Sequence, residues 1–363
     1  MITEKISMKI AIVLGTRPEI IKLAPLITKL NRKNTQVIFT GQHYDYEMSL
    51  QFIEQLGLPK PDYSLKISHS EPPSQIGEII KKLPKIFKNI KPDTVIVQGD
   101  TNTVLAASLA SLKSGIPVSH IEAGLRSFDW RMPEEHNRIA TDHISEYLFA
   151  PTNNSKDNLT SEHVHGRIFV TGNTVIDAIN TYVNMSSKKS SFAIDIENYI
   201  LMTLHRAENV DHKKTLSSII SAILETKHNV IFPVHPRTVK RLREFNLYNK
   251  LQKSKNILLI DSVGYFEMLE LMKNCSFIVT DSGGIQEEAT APKIRKKVLV
   301  TRKTTDRPEA VASGMSQVIG VEKKNIVIAI KKTILNPSIH SRKTPYGNGN
   351  ASQKIIKILQ KNL

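Results

Sequence analysis

Lys9-Ile10-Ala11-Ile12-Val13-Leu14-Gly15-Thr16-Arg17-Pro18-Glu19-Ile20-Ile21-Lys22 reads as a buried strand that breaks at a glycine and runs directly into a helix. After the lysine, residues 10–14 are apolar without alternation, which suits a strand covered on both faces. Thr16 and Glu19 have capping-box spacing and Pro18 suits a first helical turn, so a helix is expected over 17–32. Arg17 and Lys22 stand close to that helix start and create an anion environment at a strand end. The competing reading is that Glu19 and Lys22 simply pair on a helix surface. The Gly-x4-Gly-Lys spacing of a P-loop is absent.

The same unit recurs along the chain. Thr94-Val95-Ile96-Val97-Gln98 and Val118-Ser119-His120-Ile121 read as strands, with a helix over 103–113 between them that stops at Gly115. After a polar interlude, strands are expected at 199–203, 230–234, 257–260, 277–280 and 297–300. Apolar strands alternating with helices specify an α/β fold of two Rossmann-like doubly wound domains. The switch is expected near Thr171-Gly172-Asn173, giving domains 1–171 and 172–349, with a final helix over 350–363 packing back on the first. The Lys/Ser-rich stretch 186–191 reads as a surface loop.

Lys and Arg total 50 against 34 Asp and Glu in 363 residues, a formal charge of +16 that suits an anionic partner. Nucleic acid, a membrane surface and a phosphorylated substrate all fit that sign, as does a lysine-rich surface with no steering role. The basic residues are scattered and no dense basic run interleaves with aromatics, which argues against a nucleic-acid module. The single cysteine, Cys275, excludes an intramolecular disulfide and cannot alone build a structural zinc site. It lies in an apolar run and reads as a buried structural thiol. With no stretch of about 20 apolar residues, a reduced, soluble, cytoplasmic protein with no membrane or nucleic-acid partner is expected.

In a doubly wound sheet, ligands lie at the carboxyl ends of the strands, so residues just past each strand carry the chemistry. Asp100, in Gln98-Gly99-Asp100-Thr101, is either a helix cap or a catalytic carboxylate. Glu122 follows the next strand, and Glu134 and Arg138 stand four apart, as a solvated ion pair or as part of a converging acid cluster suited to proton transfer at a sugar ring. His205 and Arg206 follow a strand of the second half, and His235 repeats that placement one strand later. Each histidine is either a satisfied loop residue or a phosphate-binding or proton-shuttling group. Thr280-Asp281-Ser282-Gly283-Gly284-Ile285-Gln286-Glu287-Glu288 joins a strand, a small-residue turn and a helix, an anion cradle with Glu288 in reach of ribose hydroxyls. No Gly-x-Gly-x-x-Gly fingerprint occurs, so a dinucleotide is not indicated.

Taken in order, Gly15-Thr16-Arg17-Pro18-Glu19, Gly99-Asp100-Thr101, Glu122-Ala123-Gly124-Leu125-Arg126, Pro133-Glu134-Glu135, His205-Arg206-x-Glu208-Asn209, Asp281-Ser282-Gly283-Gly284-Ile285-Gln286-Glu287-Glu288-Ala289, Thr305-Asp306-Arg307-Pro308-Glu309-Ala310 and Pro345-Tyr346-Gly347-Asn348-Gly349 resemble the non-hydrolysing UDP-N-acetylglucosamine 2-epimerases over almost the whole chain. The resemblance implies a GT-B type fold with an interdomain active-site cleft, a homodimer, and interconversion of UDP-GlcNAc and UDP-ManNAc without NAD or metal. UDP is eliminated to leave a 2-acetamidoglucal and then added back.

By motif, Asp100, Glu122, Glu134 and His205 form the acid/base group, while Arg17, Lys22, Arg138, His235, Ser282, Gly283, Gly284, Glu288 and Arg307 hold substrate or UDP. Gln42 and His43, with Arg206, resemble the motif that binds a second, activating UDP-GlcNAc. The chain departs from the pattern at Ala207, where the family commonly has Arg, and in the basic stretch Thr290-Ala291-Pro292-Lys293-Ile294-Arg295-Lys296-Lys297. The alternatives are a hydrolysing 2-epimerase, a GT-B glycosyltransferase, and a basic nucleotide- or RNA-binding protein.

Overall fold

The computed structural model describes residues 8–41, 46–67, 71–189, 196–339 and 343–363. They form two compact units, one of residues 1–178 with 347–363 and one of residues 179–346. The first holds strands β1 (Ile10–Leu14), β2 (Thr35–Phe39), β3 (Tyr63–Ser64), β4 (Thr94–Gln98), β5 (Val118–Ile121), β6 (Tyr147–Ala150) and β7 (Arg167–Val170). The second holds β8 (Ile200–Thr203), β9 (Val230–Val234), β10 (Ile257–Asp261), β11 (Phe277–Thr280), β12 (Val298–Val300) and β13 (Ser316–Val318).

The first sheet runs in the order β3-β2-β1-β4-β5-β6-β7 and the second in the order β10-β9-β8-β11-β12-β13, with every pair parallel. Both are doubly wound, and both reverse direction at their centre, between β1 and β4 and between β8 and β11. The strands named from the sequence lie where they were expected. β2, β3, β6, β7 and β13 complete the two sheets.

The apolar strands are held by helices on their faces. In the first unit Val13, Ile38, Val95 and Val97 pack with Ile79, Leu83 and Phe87 of helix Pro72–Ile90 and with Val104 and Ala107 of helix Asn102–Lys113. In the second, Ile200, Met202, Phe232, Phe277 and Val279 meet Leu216, Ile219, Ile220 and Ile223 of helix Lys213–Thr226 and Ile326 and Ile330 of helix Lys323–Leu335. Each fully buried aliphatic side chain contributes about 1.5–3 kcal/mol relative to exposure. Cys275 is buried at the end of helix Tyr265–Asn274, and its thiol donates to the Met272 carbonyl. No helix among the described residues is long and apolar enough to cross a membrane.

The 186–191 reading is corrected for residues 186–189, which continue helix Thr174–Lys189. Residues 190 and 191 lie outside the described residues. The helical period through Val175, Ile179, Tyr182 and Val183 carries Ser186 inward, where it is buried and donates to Glu270 at 2.6 Å. Polar composition misled because serine is small enough to sit on a buried helix face when its hydroxyl has an acceptor. The division between the units falls inside this helix, between Ala178 and Ile179.

Helix Arg17–Lys29 begins as its motif specifies. One oxygen of Glu19 accepts from the backbone N–H groups of Gly15 and Thr16, and the other accepts from the Thr101 hydroxyl. Burial pushes this carboxyl up to about 7 from 4.5, over the opposing hydrogen bonds, and the charge of Asp100 adds to the rise. Gly15 is required by close approach: a Cβ there would stand 2.3 Å from the Thr40 hydroxyl and 2.4 Å from that of Thr103. The last helix, Ala351–Asn362, returns to the first unit. The buried carboxylate of Asp177 accepts from its leading N–H groups, those of Ala351 (3.1 Å) and Ser352 (2.9 Å). At its far end the Tyr147 hydroxyl donates to the Asn362 carbonyl at 3.1 Å.

Asp177→Ala leaves two buried helix-start donors without their acceptor, and urea unfolding should show a loss of about 1–2 kcal/mol. A loss no larger than that of a surface substitution would mean the final helix is held by its apolar face alone. Glu19 gives a pH signature. Its folded value of about 7 exceeds the unfolded 4.5, so its contribution to stability is fully present below pH 4.5 and is lost as pH rises through about 7. The loss is on the order of 3 kcal/mol, and Glu19→Gln, whose amide can serve the same three partners, should abolish that part of the pH dependence in denaturation curves.

Candidate active site

Both sheet reversals are lined at the carboxyl ends of the strands by polar residues. In the first unit, Gly99 follows β4 with φ +85°, a left-handed turn that glycine adopts without strain and that turns Asp100 away from the strand. Three groups pin this turn. His120, fully buried on β5, bridges the Gly99 carbonyl (2.8 Å) and Asp142 (2.7 Å). The Asn137 amide donates to the Asp100 carbonyl at 2.9 Å. Arg138 donates through Nη2 to the Asp100 carboxylate. Asp142 in turn accepts from the Gly124 N–H and pairs with Arg126, which forks onto Glu162.

Glu122 follows β5 with φ +74°, a conformation costly for a residue with a Cβ and kept here by its surroundings. Both carboxylate oxygens accept from Lys22, at 2.8 and 2.6 Å, and one also accepts from the Gln98 amide at 2.8 Å. Glu19, Asp100 and Glu122 therefore stand at the ends of adjacent strands, with Lys22 on Glu122 and Arg138 on Asp100. Arg17 is exposed, its guanidinium 6.0 Å from the Phe52 ring centre.

Glu134 and Arg138 do not form the pair that their spacing allows. Glu134 is exposed, while Arg138 pairs with Asp100 and Glu135. The buried residues of this helix, Pro133–His143, are Glu135, Asn137, Arg138, Thr141 and Asp142. The three-residue step from Arg138 back to Glu135 was the signal that could have found Glu135. The motif Pro133-Glu134-Glu135 contains the residue, but two adjacent glutamates do not by themselves show which one faces inward.

In the second unit the loops after β8 and β11 meet on Asp281, which is fully buried. Its carboxylate accepts from the backbone N–H groups of His205 (3.2 Å) and Arg206 (3.0 Å) and from the Asn209 amide (3.1 Å). Burial lowers the His205 imidazole below its ordinary value, with Asp281 opposing and Arg206 and His235 reinforcing. The ring centres of His205 and His235 are 6.1 Å apart, and His235 caps its own helix by accepting from the Arg237 N–H.

Ser282 caps the short helix Gly283–Glu288. Beside that turn lies a charge cluster. Arg307 pairs with Glu287 (2.6 Å) and Asp306 (3.1 Å), and Arg302 pairs with Asp306 (3.0 Å) and Glu208 (3.0 Å). Burial would raise Asp306, but Arg307, Arg302 and Arg206 outweigh it and hold the carboxyl down at about 2. A Cβ on Gly283 would stand 3.3 Å from Asp306, so the turn lies directly on the cluster. Glu288 is half-buried, and its charge acts on Tyr265.

The structure thus groups Lys22, Asp100, Glu122 and Arg138 in one unit, and His205, Arg206, His235, Ser282, Gly283, Gly284 and Arg307 around the loops of the other. Gln42 and His43 lie outside the described residues. No group of three or more His, Cys, Asp or Glu among the described residues is placed to hold a metal ion. The arrangement in the first unit offers carboxylates for proton transfer, and that in the second offers cations and backbone donors at a helix start for an anion.

A family model described as UDP-N-acetylglucosamine 2-epimerase matches residues 27–360. The chain is 46% identical to the UDP-N-acetylglucosamine 2-epimerase of Methanocaldococcus jannaschii, over 97% of this chain and 99% of that one. It is 37% identical to the UDP-2,3-diacetamido-2,3-dideoxy-D-glucuronate 2-epimerase of Pseudomonas aeruginosa, over 98% and 100%. Among solved structures it is similar to the M. jannaschii UDP-GlcNAc 2-epimerase in complex with UDP-GlcNAc and UDP, with TM-score 0.86, 45% identity, and coverage of 98% of this chain and 100% of that one. The Neisseria meningitidis UDP-GlcNAc 2-epimerase bound to UDP-GlcNAc gives TM-score 0.85 at 38% identity, covering 98% and 100%. Alike over nearly their full lengths, the chain and these proteins share two Rossmann-like units of the GT-B class, and the chain belongs to the UDP-N-acetylglucosamine 2-epimerase family.

Proposed function

We propose that the chain interconverts UDP-N-acetylglucosamine and UDP-N-acetylmannosamine by eliminating and re-adding UDP, without net hydrolysis. The observation that carries this reading is the pair Asp100 and Glu122, acids at adjacent strand ends, each held by a cation. Relatives of that name at 46% and 44% identity support the choice of sugar.

The chemistry needs two kinds of group. A carboxylate removes the C2 proton as the C1–oxygen bond breaks, the electron pair forms the C1–C2 double bond, and UDP leaves as an anion. A second acid then delivers a proton to the opposite face of C2 while a phosphate oxygen of UDP re-forms the bond to C1. Asp100, Glu122, Glu134 and His205 supply the acid and base groups, and the lowering of the His205 imidazole by burial favours its neutral form. Arg17, Lys22, Arg138, His235, Ser282, Gly283, Gly284, Glu288 and Arg307 take the substrate and its diphosphate, where positive charge and N–H donors stabilise the leaving group. No NAD or metal takes part, and the working species is a homodimer.

Incubation with UDP-GlcNAc in heavy water, followed by NMR, tests the reading directly. UDP-ManNAc carrying deuterium at C2 is expected. Free ManNAc with UDP would instead mark a hydrolysing enzyme, and turnover only of the 2,3-diacetamido uronate would mark the other substrate. Asp100→Asn and Glu122→Gln should each lower kcat by about two orders of magnitude or more while UDP still binds in calorimetry. Near-wild-type rates would remove those residues from the reaction.

A further inference from the structure

The loop after β5 carries two exposed aromatic side chains, Phe128 (78% exposed) and Trp130 (67%), the latter the only tryptophan of the chain. Phe128 has φ +56°, a left-handed conformation unfavourable for a bulky residue. Something must hold such a loop. Its hydrogen bonds converge on one buried carboxylate, that of Glu135, 1% exposed. Glu135 accepts from the Ser127 N–H (3.0 Å), the Phe128 N–H (2.9 Å) and the Ser127 hydroxyl (2.9 Å). Further along, His136 contacts the Trp130 carbonyl at 2.9 Å, and its ring stands 4.8 Å from the indole.

The same carboxylate faces the reaction machinery. Arg138 donates through Nη1 to Glu135 at 2.8 Å and through Nη2 to Asp100. The guanidinium is planar with its donors in a fixed fork, so fixing one edge sets the direction of the other. Arg138 is 6% exposed at its side chain and Glu135 2%, so little water is at hand to screen the pair or replace it.

We propose that Glu135 is a positioning residue: it aims Arg138 at the Asp100 carboxylate and, through the same two oxygens, anchors the Phe128–Trp130 loop beside it. The inference rests on the epimerase reading for the role of Asp100, while the placement of Glu135 stands without it. Loop position and Asp100 orientation are therefore one variable. A loop pulled from Glu135 frees the oxygen that holds Arg138, and an Arg138 drawn from Asp100 loosens the loop.

Glu135→Gln keeps the size and can still accept from the loop N–H groups, but its NH2 edge opposes a donor on Arg138. Steady-state kinetics should show kcat down by ~10²-fold, the cost of a small misplacement of a reacting group, with KM changed far less. Glu135→Asp restores the charge and should recover part of the loss. Time-resolved anisotropy of Trp130 should fall in Glu135→Gln as the loop gains freedom.

A purely structural role would lower Tm and leave kcat of the folded fraction as in wild type, and that result overturns the inference. So does an unrecovered loss in both variants with unchanged Trp130 anisotropy. Failure of the epimerase reading would be seen separately, in wild type that does not turn over UDP-GlcNAc. The inference is then decided by crystal structures of Glu135→Gln, in which Arg138 displaced from Asp100 upholds it and Arg138 unmoved overturns it.

Discussion

A parallel strand buried on both faces has no position along its length where charge can be kept, because an uncompensated ion in that medium is far too costly. Charge is displaced to the strand ends, where the chain leaves the sheet and water, loops and helix starts can meet it. In both units the consequence is the same. β1 is apolar throughout, β4 is apolar between Thr94 and Gln98, and β5 holds Ser119 and His120 only against buried partners; within a few residues of their ends come Glu19, Asp100 and Glu122. β8 and β11 end in the same way, at His205 and at Asp281.

Charges gathered in so small a volume must be balanced by one another. Lys22 serves Glu122, Arg138 serves both Asp100 and Glu135, and Arg126 serves Asp142 and Glu162. Arg302 and Arg307 serve Asp306 in the second unit. Buried pairs of this kind are poor sources of stability, since desolvation offsets most of the attraction. What they provide is direction: each carboxylate is held in one orientation by a partner that is itself fixed. Glu19 is the exception. Its partners are two N–H groups and a hydroxyl, and burial pushes its carboxyl toward the neutral form.

Much of this was legible in the sequence, for a physical reason. β1 and β9, and β4 and β11 apart from their polar end residues, are continuous apolar runs, and those have few other uses in a chain of this composition. Of the four edge strands, β10 was legible, whereas β3, β7 and β13 were not. β7, Arg167–Val170, is exposed at both ends, and β3 is two residues long. β3 is too short to show a period, and the apolar run of β7 is only three residues long, between Arg167 and Thr171. At the site, strand-end acids were visible one at a time, while their partners were not: nothing local to Asp100 names Arg138, which is 38 residues away. That Glu135, next to Glu134, faces inward onto Arg138 follows from helical phase, which a motif of adjacent glutamates conceals. At Ser186 polar composition outweighed an apolar period that continued through it.

The helix Ala351–Asn362 belongs to the first unit although residues 179–346 lie between it and the rest of that unit. On the ribosome, the second unit is therefore complete while the first still lacks one of its helices. Until residue 351 emerges, the buried carboxylate of Asp177 has no helix start to cap and the Tyr147 hydroxyl no Asn362 carbonyl to reach. Synthesis from the N-terminus ordinarily lets the leading unit fold first. Here the order of completion is reversed, and the nascent chain carries an unfinished apolar surface through nearly the whole of its translation.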